Sequence, residues 1–241
     1  VCMKNGRLYA FSFGNYLTCI DAQTGAQVYR HTKQSSPQLF ATLGEYQNRQ
    51  DWRSNWRTAA LLRCSDQALY FAGPAMQRLV ALAADSGRPL WSHPYSNYQL
   101  ILQGNSLYAI SGQIDKEVSR RFNPLTGEVL AELKINRRAC TRPTASCDAI
   151  FFRADEGSVR LDLQNDESQL MSPMRPNCHD GVTVANGLLY WWPSVCDCNL
   201  TLYGITCLGP AADFDFNQSA NDSVRLQAGL GGKSKAGLSV E

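Results

Sequence analysis

The feature that most constrains this chain is a turn that recurs. Cys19–Tyr29 (CIDAQTGAQVY), Leu79–Trp91 (LVALAADSGRPLW) and Arg121–Ala131 (RFNPLTGEVLA) each pass from a strand-like run through a Thr-Gly or Ser-Gly turn into a second short run. The turn residues Gly25, Gly87 and Gly127 stand 62 and 40 positions apart. A second landmark lies upstream of each turn, a small polar turn followed by an apolar-aromatic run. Its copies are GRLY (Gly6–Tyr9), QALY (Gln67–Tyr70), NSLY (Asn105–Tyr108), AIFF (Ala149–Phe152) and GLLY (Gly187–Tyr190), and their last residues are 61, 38, 44 and 38 positions apart. A period near ~40 with about four strand-like runs per period is the mark of propeller blades. The fold class expected is therefore all-β, a β-propeller.

The best-kept copy, Leu79–Trp91, has the form apolar-x-Ala-Leu-x-x-Asp-Ser-Gly-x-x-x-Trp and resembles the repeat of the quinoprotein (PQQ) type β-propeller. The stretches Cys140–Arg153, Ser172–Gly181 and Leu188–Pro210 are similar to PQQ-like repeat proteins abundant in planctomycetes, whose names often borrow from the outer-membrane assembly factor BamB. The resemblance covers about residues 1–217. It implies a quinoprotein alcohol dehydrogenase-like propeller in which the Trp after each turn packs between blades and the turn glycine allows the backbones to approach. At that Trp position the chain has Tyr29, Trp91 and Ala131. The third joint should then be looser, or be filled by another aromatic.

About five blades are legible where the family ring has a probable eight, and Val1 stands where the pattern is already mid-blade. The expectation is a partial propeller over 1–210, apparently a fragment of a longer polypeptide. Residues 32–57 form an insertion, because the first landmark spacing is some twenty residues longer than the others. The insertion carries Trp52 and Trp56 among Arg49, Arg53 and Arg57, and a long connection of this kind is a functional loop or a decoration over a blade. Residues 211–241 are polar and Gly/Ser-rich and read as a linker or poorly ordered segment.

A net charge of +2 from 23 basic and 21 acidic side chains gives no electrostatic footprint for nucleic acid. No apolar run reaches the ~20 residues of a membrane-spanning helix. Nine cysteines are about double ordinary usage and point to an oxidising compartment, periplasmic or extracellular and associated with the cell envelope. Their odd number leaves at least one thiol unpaired within the chain.

Twelve positions before each landmark aromatic lie Thr58, Ser96, Cys140 and Cys178, which should begin successive innermost strands beside the channel. Cys196 and Cys198 fall between the second and third strands of the last blade. That turn shares a face with the start of the innermost strand, because strands alternate in direction. One face should thus collect Cys140, Cys178, His179, Cys196 and Cys198, with Trp52 and Trp56 nearby. Cys2 and Cys64 map to the other end of the innermost strand, Cys19 within a third strand and Cys207 near an opposite-face turn, all four structural.

Three readings of the cysteine face stand side by side. Disulfides would join Cys178 to Cys196 or Cys198 and Cys140 to the other, stapling two blades at ~2–4 kcal/mol each. A thiolate-bound metal would use Cys140, Cys178, Cys196 and Cys198, with His179 optional. Separate, partly reduced thiols are the third.

The resemblance also raises PQQ with Ca²⁺, which in family enzymes sits against a vicinal Cys-Cys disulfide above a Trp floor, beside an Asp base. The chain has no adjacent Cys-Cys pair; Asp148 and Asp180 are the candidate carboxylates. Arg142, Trp52 and Trp56 are the candidate cofactor-binding residues. Arg142 is placed two residues into an innermost strand, facing the channel or paired with Asp180. His31 and His93 show no partner and read as structural or exposed. These residues favour a non-enzymatic, exported binding or scaffolding module that holds a protein partner or the remaining blades. The alternative is a redox or electron-transfer subunit with its site on the cysteine face. A third possibility is polysaccharide binding by Trp52 and Trp56.

Overall fold

The computed structural model describes residues 1–47, 61–112, 117–138, 141–154, 157–171, 175–176, 181–193 and 204–209. The blades lie in one unit, Val1–Leu208.

Each landmark becomes the second strand of an antiparallel sheet whose strands pair in chain order. The first sheet holds β1 (Cys2–Lys4), β2 (Arg7–Ser12), β3 (Tyr16–Asp21) and β4 (Gln27–Thr32). After a short helix, α1 (Pro37–Leu43), come β5 (Leu61–Cys64), β6 (Ala68–Ala72), β7 (Leu79–Ala83) and β8 (Pro89–His93). The third sheet is β9 (Gln99–Gln103), β10 (Ser106–Ile110), β11 (Ser119–Phe122) and β12 (Val129–Leu133). The fourth is β13 (Thr144–Ala145), β14 (Ala149–Ala154), β15 (Gly157–Asp162) and β16 (Ser168–Met171). A fifth has three described strands, β17 (Thr183–Ala185), β18 (Leu188–Trp191) and β19 (Thr206–Leu208). This is the all-β propeller architecture: sheets of four strands meeting face to face in sequence order.

The core lies between sheets. Where a half-exposed sheet would alternate apolar and polar residues, β6 and β7 are buried at every position, since both of their faces are covered. One cluster joins sheets one and two through Tyr9, Leu17 and Cys19 on one side and Leu69, Phe71, Val80 and Leu82 on the other. Others join sheets two and three around Tyr70, Tyr98 and Phe122, three and four around Tyr108, Ile150 and Phe152, and four and five around Phe151 and Trp191. The outer strands β12 and β16 are mostly exposed, and β4 is exposed at half of its positions.

Within residues 32–57 the chain forms α1. Pro37 opens α1, where its missing N–H costs nothing, and Leu39, Phe40 and Leu43 are buried in the cluster between sheets one and two. Trp52, Trp56 and the arginines between and beside them lie outside the described residues.

The innermost strands begin later than the count of twelve places them. Ser96 precedes β9 by three residues. Its hydroxyl donates to the Met76 carbonyl (2.6 Å) and its own carbonyl accepts from the Gly73 and Tyr98 N–H groups (2.7 Å each). The chain spends these residues fastening the connecting loop to the β6–β7 turn before strand pairing starts. The same contacts show that this loop and the second-to-third turn share a face.

Arg142 likewise lies before β13 rather than inside it. The next residue is Pro143, which has no N–H to pair, so the strand starts at Thr144. The Arg142 side chain is exposed, while its carbonyl closes on the place a Cβ on Gly181 would take. Cys207 is inside β19, paired with Tyr190.

Candidate functional site

The turns joining first to second strands bring the innermost ends of neighbouring sheets onto one face. Asn5-Gly6 closes β1–β2 with both residues at positive φ (47° and 69°), the conformation a two-residue hairpin with native twist requires. The Asn5 amide reaches across to Asp66 in the β5–β6 turn (2.7 Å), and Lys4 pairs with the same carboxylate at 3.6 Å. Two joints further on, between the third and fourth sheets, the Gln103 amide donates to the Cys147 carbonyl (3.2 Å). Side chains from these turns thus tie the sheets together along the channel side.

Between the turns of the first three sheets lies a cavity of about 460 Å³. Its walls are Lys4, Cys64 to Gln67, Tyr70, Leu102, Gly104, Asn105 and the turn residues Asn123 to Leu125. Lys4 and Asp66 compensate each other, so the cavity offers amides and backbone groups rather than a net charge. The Tyr70 ring is fully buried, and burial raises its phenol above the ordinary range, partly offset by the Ser65 side chain.

Outer joints carry a second set of polar contacts. Tyr29 donates its hydroxyl to the Ala84 carbonyl (3.2 Å), and Trp91 donates its indole N–H to the Pro124 carbonyl (2.9 Å). Ala84 and Pro124 hold equivalent places in successive turns, so the inter-blade role expected of these aromatics is what the geometry shows. His31 sits over the Gly87 turn, its Nε2 2.7 Å from the Ser86 carbonyl and its Nδ1 2.9 Å from the Ser36 hydroxyl. A carbonyl only accepts, so Nε2 carries a proton and donates it to Ser86, while Nδ1 shares a hydrogen bond with the Ser36 hydroxyl. With both nitrogens engaged, His31 is a structural bridge with partners that the sequence did not reveal.

His93 packs against Phe122 (5.3 Å between ring centroids) and Tyr98 (6.0 Å); burial, then the nearby Arg120 charge, pulls its pKa below the ordinary value. Arg160 binds both Asp162 (2.8 Å) and Asp148 (3.0 Å), so Asp148 is engaged in pairing within its own sheet.

Of the residues singled out in the sequence, Cys140, Cys178, His179, Asp180, Cys196 and Cys198 lie outside the described residues, as do Trp52 and Trp56. Among the described residues no three His, Cys, Asp or Glu side chains converge as cation ligands. Of the candidate cofactor-binding residues Arg142, Trp52 and Trp56, Arg142 is the one among the described residues, exposed before β13.

No family model matches the chain, and no curated protein matches it. Solved structures do. The chain is similar to BamB from Moraxella catarrhalis at a TM-score of 0.52 and 11% identity, over 77% of this chain and 51% of that one. It is similar to the computationally designed protein Ika8 at a TM-score of 0.50 and 10% identity, over 79% of this chain and 53% of that one. The chain thus spans about half the length of these two solved structures. At such identities the likeness shows the fold alone, and that fold is the β-propeller.

Proposed function

We propose that this chain is a binding module that holds a protein partner against its turn face. The observation that carries the reading is the cavity of about 460 Å³ among the turns of the first three sheets. Its walls are short turns fixed by inter-sheet hydrogen bonds, and the exposed amides of Gln67 and Asn105 supply both donors and acceptors. Rigid polar groups around an uncharged hollow suit a loop of a folded partner, because little ordering entropy is lost on docking. The module is exported and non-enzymatic in this reading; the nine cysteines of the chain support export by composition. No helix among the described residues is long and apolar enough to cross a membrane.

A photo-crosslinking residue placed at Asn105, with Val129 on the outer strand β12 as the control position, tests this in extracts of the source cells. A discrete adduct with another polypeptide from position 105, absent from position 129 and lost on Gln67→Ala, is the expected result. Equal labelling from both positions sinks it. The rival reading, a redox subunit holding PQQ with Ca²⁺ or a thiolate-bound metal, would replace it if the purified chain carried a quinone absorption band or stoichiometric metal.

A further inference from the structure

Cys2 begins β1 opposite Tyr9, and directly opposed residues share a face of the sheet. Tyr9 is in turn opposite Cys19, and Cys19 opposite Tyr29, all on the face turned toward the second sheet. Cys64 ends β5 opposite Leu69, which is opposite Leu82, on the face the second sheet turns back. β1 and β5 are neighbouring innermost strands. Both cysteines are half-buried against the same cluster, and neither is in a disulfide.

We propose that Cys2 and Cys64 are a dithiol that closes to a disulfide across the first two sheets, a reversible staple on the channel side. Cys19 is not an alternative partner for Cys2. It is two strands away in the same sheet, about 10 Å at ordinary strand spacing, beyond the ~7 Å between Cα atoms that a disulfide spans. Cys19 is also 1% exposed, closed to any reagent.

The order of events follows from the surroundings. Burial, then the neighbouring Cys64 thiol, pushes the Cys2 thiol up, so Cys2 keeps its proton. Cys64 also lines the cavity on the turn face, which gives a small molecule access. Cys64 therefore attacks one sulfur of a low-molecular-weight disulfide RSSR, whose S–S bond breaks. One RSH leaves with the Cys64 proton, and Cys64–S–SR remains. The Cys2 sulfur then attacks the Cys64 sulfur and expels the second RSH, which takes the Cys2 proton. Two thiols are oxidised to one disulfide, and RSSR is reduced to two RSH.

The test uses the reduced full chain, oxidised glutathione, quenching with N-ethylmaleimide and tryptic mapping without reductant. The expected product is Val1–Lys4 linked to Cys64–Arg78, released by reduction. Cys2→Ser should stop with glutathione on Cys64, whereas Cys64→Ser should leave Cys2 alkylated and without glutathione. Recovery of both cysteines alkylated from folded, oxidant-treated chain overturns the proposal, as does Cys64 linked to any other cysteine. Should either variant fail to fold, the wild-type map decides alone.

Discussion

The seam between the second and third sheets and the seam between the third and fourth solve one packing problem with opposite chemistry. At the first, Ala81 on the third strand leaves room for Trp91 on the fourth, whose ring lies on the Gly127 turn of the next sheet. At the second, the equivalent positions hold Arg121, Ala131 and Asp166. Arg121 fills the space the indole occupies elsewhere and pairs with Asp166 at 2.8 Å, with Tyr108 beside them. The large side chain has moved from the fourth strand to the third, and the turn glycine has become its counter-ion. Loss of Trp at this repeat thus leaves neither a gap nor a second aromatic: an ion pair closes the joint. Ring burial is indifferent to salt, whereas a partly exposed ion pair is screened by it. The two seams should therefore respond differently to the same perturbations.

The largest effect is expected from Trp91→Ala. Truncating a packed indole costs about 3 kcal/mol or more, and here an inter-sheet hydrogen bond goes with it. Urea unfolding should show that loss equally at low and high salt; a loss under about 1 kcal/mol would mean the ring does not close this seam.

Gly127→Ala comes next. Its φ of +75° is costly for alanine, and a Cβ there would lie 2.5 Å from the Trp91 ring. Strain and overpacking together should cost about 2–3 kcal/mol. In a Trp91→Ala background the clash vanishes and only the backbone cost of about 1 kcal/mol should remain. Additive losses in that double-mutant cycle would show that ring and glycine are independent.

Arg121→Ala should cost less, about 1–2 kcal/mol, because the two side chains keep 29% and 18% exposure and the pair is partly solvated. Unlike the first two losses, this one should shrink as salt rises from 0.05 to about 1 M. A salt-independent loss would assign Arg121 to packing through its aliphatic stem rather than to charge.

The contrast explains how much the sequence could reveal. Period, landmark aromatics and Thr-Gly turns place the sheets because each depends on local residue types that repeat. The Asp166 turn escapes that pattern although its backbone is the same. The Asp166 N–H donates to the Asp162 carbonyl, as those of Gly25, Gly87 and Gly127 do to Asp21, Ala83 and Asn123. Asp166 also keeps the positive φ (61°). Asp162, standing where Asp21 and Asn123 stand and capping its own turn, was the available signal. The exchange of Trp91 for Arg121 had no such signal, since it links residues that meet only across a seam. His31 was unreadable for the same reason: Ser86, which holds it, is 55 positions away. Counting twelve residues back failed by a few positions because Pro143 and the Ser96 loop delay pairing, a property of the connection rather than of the repeat.

The smallest predicted effect is a slope rather than a loss. His93 stands at the second-to-third seam against Phe122 and Tyr98, and burial holds its pKa below the ordinary 6.5. As pH falls below that value the unfolded chain takes up the proton before the folded one does, so unfolding is favoured. The stability contributed by neutral His93 is complete above about pH 6.5, and it declines as pH drops toward the folded pKa. The fourth sheet behaves otherwise. Asp148 is held below its ordinary 3.8 by the Ser146 hydroxyl and then Arg160, and Asp162 by the Gln164 N–H and then Arg160. Their contribution is present above that value and lost only as pH falls below it. Urea midpoints should therefore drop between about pH 7.5 and 5.5 in the wild type, and His93→Phe should flatten that slope. Arg160→Gln should leave it unchanged while altering the profile below about pH 4. If His93→Phe kept the full slope, the proton would be entering elsewhere, and the seam closed by a ring would be no more sensitive to mild acid than the fourth sheet.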